Sequence, residues 1–198
     1  MNSSRYDSKN CSPAYSSILR CAGRLIVCWT VLASGCKAPH KSASEEAMSA
    51  PTAPKAQEVR NACETNFSAN SNDCNKFLKA VSNSLGSNIP QDKDANGIVD
   101  FLENGNGWTK LPVGNGSAAK QQADAGMFVV AGLRGPEHAD HRANGHVCVI
   151  VSGELDANGF PRGYWGSITP GLAKKDSSIR KVWRAEDVVN VRYYYKSF

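Results

Sequence analysis

The fold follows from Ser71-Asn72-Asp73-Cys74-Asn75-Lys76-Phe77-Leu78-Lys79-Ala80-Val81-Ser82-Asn83-Ser84-Leu85-Gly86. Cys74, Phe77, Leu78, Val81 and Leu85 recur at helical spacing and share one face, so the pattern predicts an amphipathic helix from Asp73 to Leu85. Ser71 or Asn72 can cap its start, and Gly86 can end it. Two shorter helices follow, Ala95 to Leu102 and Ser117 to Ala125, the latter with Ser117 as cap and Gly126 as terminator. A Gly/Asn-rich loop, Gly105 to Gly116, carries Trp108 between them. Beyond Gly126 the pattern changes. Met127 to Leu133, Val147 to Val151, Tyr164 to Ile168 and Val191 to Tyr195 are short β-branched or aromatic runs bounded by Gly and Pro, which predicts strands. Helices first and strands afterwards predict an α+β fold, with N-terminal helices packed on a small, meandering antiparallel sheet.

Upstream of that fold the chain reads differently. Arg20 and Arg24 precede an apolar stretch from Leu25 to Ala33, and the small residues Ser34 and Gly35 stand before Cys36. The stretch is too short for a permanent membrane span and reads as a targeting segment over residues 1–35. Leu32-Ala33-Ser34-Gly35-Cys36 resembles a bacterial lipobox, with its leucine one position farther out than usual. That resemblance implies lipidation at Cys36 and export to a bacterial membrane facing the periplasm. Residues 36–57, rich in Ala, Ser, Pro, Lys and Glu, read as a flexible tether, and residues 58–198 as the one folded domain. The domain is expected to open near Glu58 with a short helix or turn through Val59 and Cys63.

The formal charge of +5 shrinks once the targeting segment is set aside. Residues 1–35 hold four Lys/Arg and one Asp, leaving 19 basic against 17 acidic residues from Cys36 onward. No basic cluster is interleaved with aromatics, so a nucleic-acid partner has no support. Of the seven cysteines, Cys11, Cys21 and Cys28 leave with the signal and Cys36 takes lipid. Cys63, Cys74 and Cys148 remain. An odd number in an oxidising compartment leaves at least one free thiol, and pairing Cys63 with Cys148 would leave it at Cys74.

Cys74 falls in the first turn of its helix, where unpaired N–H groups and the dipole favour an anion and lower a thiol pKa. A working thiolate needs a group that takes and returns a proton near neutrality, which is the chemistry of histidine. In Gly145-His146-Val147-Cys148-Val149-Ile150-Val151, His146, Cys148 and Ile150 share one face of a strand. If that face packs on the Cys74 helix, His146 can meet the thiol. Spacing alone favours a buried structural cysteine and a strand-edge histidine with a satisfied ring.

Asn72-Asp73-Cys74-Asn75-Lys76-Phe77 on a helix, followed much later by Gly145-His146-Val147 opening a strand, resembles the NlpC-type and CHAP peptidoglycan amidases, whose fold is papain-like. Ala95-Asn96-Gly97-Ile98-Val99-Asp100, Gly107-Trp108-Thr109, Gly132-Leu133 and Tyr164-Trp165-Gly166-Ser167 are similar to segments of the type VI secretion amidase effectors and their relatives. The resemblance implies a Cys74 thiolate with His146 as base, attack on a peptide-stem amide of peptidoglycan, an acyl-enzyme, and backbone N–H groups near Cys74 holding the oxyanion. It implies no cofactor, and it allows an inhibitor or immunity protein as partner. The third residue, which would orient the imidazole, does not carry over cleanly; Asp156, Tyr164 and Ser167 are the candidates. An export signal favours a resident wall enzyme over an injected toxin.

Three rival readings compete. Asp92-Lys93-Asp94-Ala95-Asn96-Gly97 with Glu103 fits a calcium-loop pattern, although Gly86 and Pro90 interrupt the entering helix. His138, His141 and His146, with Glu137 and Asp140, carry zinc-ligand chemistry at no standard spacing. A non-catalytic wall-binding lipoprotein would use Trp108, Trp165, Trp183 and Tyr193 to Tyr195 as contact residues.

Overall fold

A computed structural model describes residues 53–198. The signal segment, the lipidation at Cys36 and most of the tether that the sequence leads one to expect lie outside the described residues. The first helix, α1 (Pro54–Asn70), starts with Pro at a position where its missing N–H costs nothing, and it is far longer than the turn expected near Glu58. Its apolar stripe is thin, with Ala56, Val59, Ala62 and Cys63 buried among polar residues, which hid its length in the sequence. The next two helices, α2 (Cys74–Ser84) and α3 (Ala95–Glu103), match the periodicity closely.

Strand β1 (Thr109–Lys110) precedes α4 (Gly116–Asp124), which Asn115 rather than Ser117 caps by accepting the Ala118 N–H at 2.9 Å. The sheet continues with β2 (Phe128–Leu133), β3 (His146–Ile150), β4 (Arg162–Trp165), β5 (Lys174–Ser178) and β6 (Arg192–Lys196). A four-residue helix, α5 (Ala185–Val188), lies between β5 and β6. The pairings are antiparallel in the order β1-β6-β2-β3-β4-β5. The sheet is therefore not a plain meander: β6 returns to pair with β2.

All six residues of β2 are buried, which explains its unbroken apolar run. On one face Phe128, Val130, Val147, Val149 and Val151 pack against Phe77, Leu78, Val81, Ile98, Val99 and Leu102 of α2 and α3. On the other, Val129, Ala131, Leu133, Cys148 and Ile150 meet Ala119 and Ala123 of α4, with Trp165, Trp183 and Val188. Cys63 and Cys148 therefore belong to opposite faces of the sheet, and both are free thiols; the pairing considered from the sequence does not form. Of the aromatics that the wall-binding reading would use, Trp108, Trp165, Trp183, Tyr193 and Tyr194 are buried in these cores and Tyr195 is half-buried.

Candidate active site

Asp73 sits in extended backbone and its Oδ1 accepts the N–H groups of Asn75 at 2.7 Å and Lys76 at 3.0 Å. It, not Ser71 or Asn72, is the cap of α2, and it fixes Cys74 as the first helical residue. The neighbouring backbone is pressed close. A Cβ on Gly166 would lie 2.4 Å from the Asp73 carbonyl oxygen, and Ser167 donates its N–H to Ser71 O at 2.8 Å. The end of β4 thus braces the turn that presents Cys74.

Cys74 is 8% exposed, and its Sγ contacts Asn75 Oδ1 at 3.6 Å. Burial pushes the thiol up to about 11, against the N–H groups of Val147, Cys74 and Asn75, which favour the thiolate. The expected lowering is reversed because desolvation outweighs the helix N-terminus. His146 opens β3 opposite Leu133. Its neighbours along that face, Cys148 and Ile150, pack on the side of the sheet away from α2, while Val147 points toward Cys74. The imidazole stands edge-on to Trp183 with ring centres 6.0 Å apart, and its Nε2 is sealed without a partner. Burial, then the charges of His138 and Arg142, push it down to about 4, with Asp73 opposing. His146 lies on the strand face away from α2, and it and Cys74 both line one cleft of about 500 Å³. Among the described residues no hydrogen bond joins Sγ to the ring, and between about pH 4 and 11 the pair rests as neutral thiol and neutral imidazole.

No family model matches the chain. Peptidoglycan amidase Tse1 of Pseudomonas aeruginosa is 33% identical over 148 residues, which cover 70% of this chain and 89% of the relative. The chain belongs to that amidase's family. Membership accords with its α+β architecture of helices against an antiparallel sheet, and it supports a hydrolase-like activity.

The other candidates of this family member scatter. Ser167 lines the cleft, its Oγ accepting the Thr169 N–H at 3.1 Å. Asp156 closes a turn by accepting from Asn158 N, Phe160 N and the Ser178 hydroxyl, and it does not line the cleft. Tyr164 donates its hydroxyl to Glu64 Oε1 at 2.7 Å and likewise stays outside it.

The histidines do not converge on a metal. His141 is exposed with Nδ1 2.8 Å from Pro136 O, and His138 is buried with Nδ1 3.1 Å from Asp187 Oδ2. Among the described residues no group of three or more His, Cys, Asp or Glu is placed to hold a metal, which removes the support for the zinc alternative.

The calcium pattern fails for the same reason and another. Asp94 caps α3 by accepting the Gly97 N–H at 2.8 Å, and the helix runs through the residues that would have to loop around an ion. Glu103, at the far end of α3, is taken by Lys110, Tyr194 and Arg192. Asn96 has a different task, missed in the sequence: it donates to Ala143 O at 2.9 Å and accepts the Gly135 N–H at 2.9 Å. That bridge staples α3 to both ends of the loop carrying His138.

Proposed function

We propose that the chain is a cysteine amidase cleaving an amide bond in the peptide part of peptidoglycan, with Cys74 as nucleophile and His146 as base. The observation that carries this reading is that the head of α2 and the start of β3 open on the same cleft, in a chain one-third identical to a peptidoglycan amidase. A substrate carbonyl seated beside Cys74 would let His146 take the thiol proton as sulfur bonds to carbon. The developing oxyanion would draw on the N–H groups of Cys74 and Val147, which already favour negative charge at the sulfur, while the Asn75 N–H is held by the Asp73 cap. His146 then gives the proton to the departing amine as the carbon–nitrogen bond breaks. Water, deprotonated by the same ring, releases the acid and restores the thiol. A resting neutral pair fits general-base attack in the substrate complex better than a standing thiolate.

By the same reading the enzyme is exported and held by lipid at Cys36, so it works from the periplasmic side of a membrane, where an inhibitor protein could guard it. Among the described residues no helix is long and apolar enough to cross a membrane. Ser167, at the cleft, is the candidate from the strand region for contacting substrate or ring.

The test is release of new amino groups from purified peptidoglycan, with mass spectrometry naming the bond. Cys74→Ala and His146→Ala should each nearly abolish release, and the double variant should be little worse, because residues acting as one unit are not additive. A folded Cys74→Ala protein that digests at the wild-type rate would refute the reading.

A further inference from the structure

The cleft carries side chains that the proposed chemistry at Cys74 does not use. Of the large apolar side chains exposed among the described residues, Val113, Ile168, Leu172 and Val189, two fall on the loop between β4 and β5 and line that cleft: Ile168 is 76% exposed and Leu172 54%. Apolar side chains left in water beside a concave site gain free energy when a ligand covers them. The loop that presents them is fastened at both ends. Near its start Ser167 donates its N–H to Ser71 O at 2.8 Å, in the turn that presents Cys74, and Ser167 Oγ accepts the Thr169 N–H at 3.1 Å. At its far end Leu172 O accepts the indole N–H of the buried Trp165 at 2.9 Å. The same cleft holds an uncommitted charge. Asp73 and Asp94 serve as helix caps, Arg142 Nε lies 2.8 Å from Asp140 Oδ1, and His138 is held by Asp187. Lys181, the exposed last residue of a short 3-10 turn (Ile179–Lys181) rooted by the buried Ile179, also lines the cleft, and among the described residues its ammonium enters no ion pair.

We propose that Ile168, Leu172 and Lys181 form the peptide-recognition rim of the site: the two apolar side chains cover an aliphatic group of the stem peptide, and the Lys181 ammonium pairs with a carboxylate that the same peptide carries. The proposal rests on the Cys74–His146 reading and names what that site selects, a peptide with a free carboxylate and a small aliphatic group near the scissile amide. A lipid surface is the rival occupant. The peptide is favoured because all three residues line the cleft that Cys74 lines, so one occupant of the cleft meets the apolar pair and the ammonium together. The charge left without an internal partner is positive, which complements a carboxylate. These side chains bind and select, and none of them makes or breaks a bond.

The test measures binding and turnover separately on the full-length protein. Soluble peptidoglycan stem peptides are offered with their carboxylates free and with them converted to carboxamides; turnover is read as amine release, and Kd by calorimetry on Cys74→Ala protein. The double variant Ile168→Ser with Leu172→Ser should raise KM and Kd about 10-fold with kcat little changed. Lys181→Gln should raise both about 10-fold for the free-carboxylate peptide and leave them unmoved for the carboxamide, and Lys181→Arg should recover most of the loss. Folded variants with wild-type KM and Kd would overturn the proposal, as would wild-type protein that treats the two peptides alike. A fall in kcat with KM and Kd unmoved would overturn it too, making the loop a support for Cys74 and not a contact for substrate. So would variants that lose affinity for anionic phospholipid vesicles while their KM for the peptides holds, which would assign the rim to a membrane. All of these leave the Cys74–His146 reading intact. A fully active Cys74→Ala protein would instead remove that reading, and the proposal with it.

Discussion

At the scale of single residues, the resting chemistry of Cys74 is the feature with the sharpest consequence. With the thiol pushed up to about 11 by burial, alkylation by iodoacetamide should be slow at neutrality and should climb toward pH 11. Peptide mass mapping will assign the modified cysteine, since Cys63 and Cys148 are fully buried and their thiols are also raised. A reaction rate already at its plateau below pH 7 would mean a standing thiolate and contradict the neutral pair. The base has the opposite sign. As the proposed base His146 would work only unprotonated, so amine release should persist through neutrality and fall as pH drops toward about 4.

At the scale of elements, the proposed site rests on a contact that belongs to neither Cys74 nor His146. Gly166 brings the end of β4 against the Asp73 carbonyl, where a Cβ would fall at 2.4 Å. Gly166→Ala must push either β4 or the start of α2 aside. It should cost about 1–3 kcal/mol of stability and reduce amine release by more than the loss of folded protein explains; an unchanged turnover per folded molecule would show that the brace is incidental. This contact also marks the limit of what the sequence could disclose. The helix over Cys74, the strand opening at His146 and the helix-then-sheet order are local signals, set by period and by Gly/Pro boundaries. The brace is a contact between residues almost a hundred positions apart, and no local pattern carries it. β5 consists of Lys174-Lys175-Asp176-Ser177-Ser178 and lacks the apolar alternation by which strands are recognised, so no strand is predicted there. His138 was visible only as one member of a histidine cluster, because its partner Asp187 lies on a four-residue helix too short to leave a periodic signature.

At the scale of the whole molecule, three carboxylates tie distant parts of the chain together and make the fold sensitive to acid. Against the opposing effect of burial, hydrogen bonds from Lys110 and Tyr194 hold Glu103 below its ordinary value of 4.5. Arg192 and the Arg134 N–H do the same for Glu137, as the Ala139 N–H and His138 do for Asp187. A folded carboxyl that binds protons less readily than the unfolded one gives stability that is full above about pH 4.5 and lost as pH falls through the lowered folded values. Melting temperature should therefore be flat from neutrality to about pH 5 and drop below it, and Glu103→Gln should flatten that drop; an identical acid profile in the variant would exclude Glu103 as a contributor. The order of the sheet bears on life at high local concentration. One border is a two-residue strand and the other begins with two lysines. Neither offers a long, neutral row of free amides on which a neighbouring molecule could template itself, so copies crowded side by side on one surface have little means of zipping into fibrils.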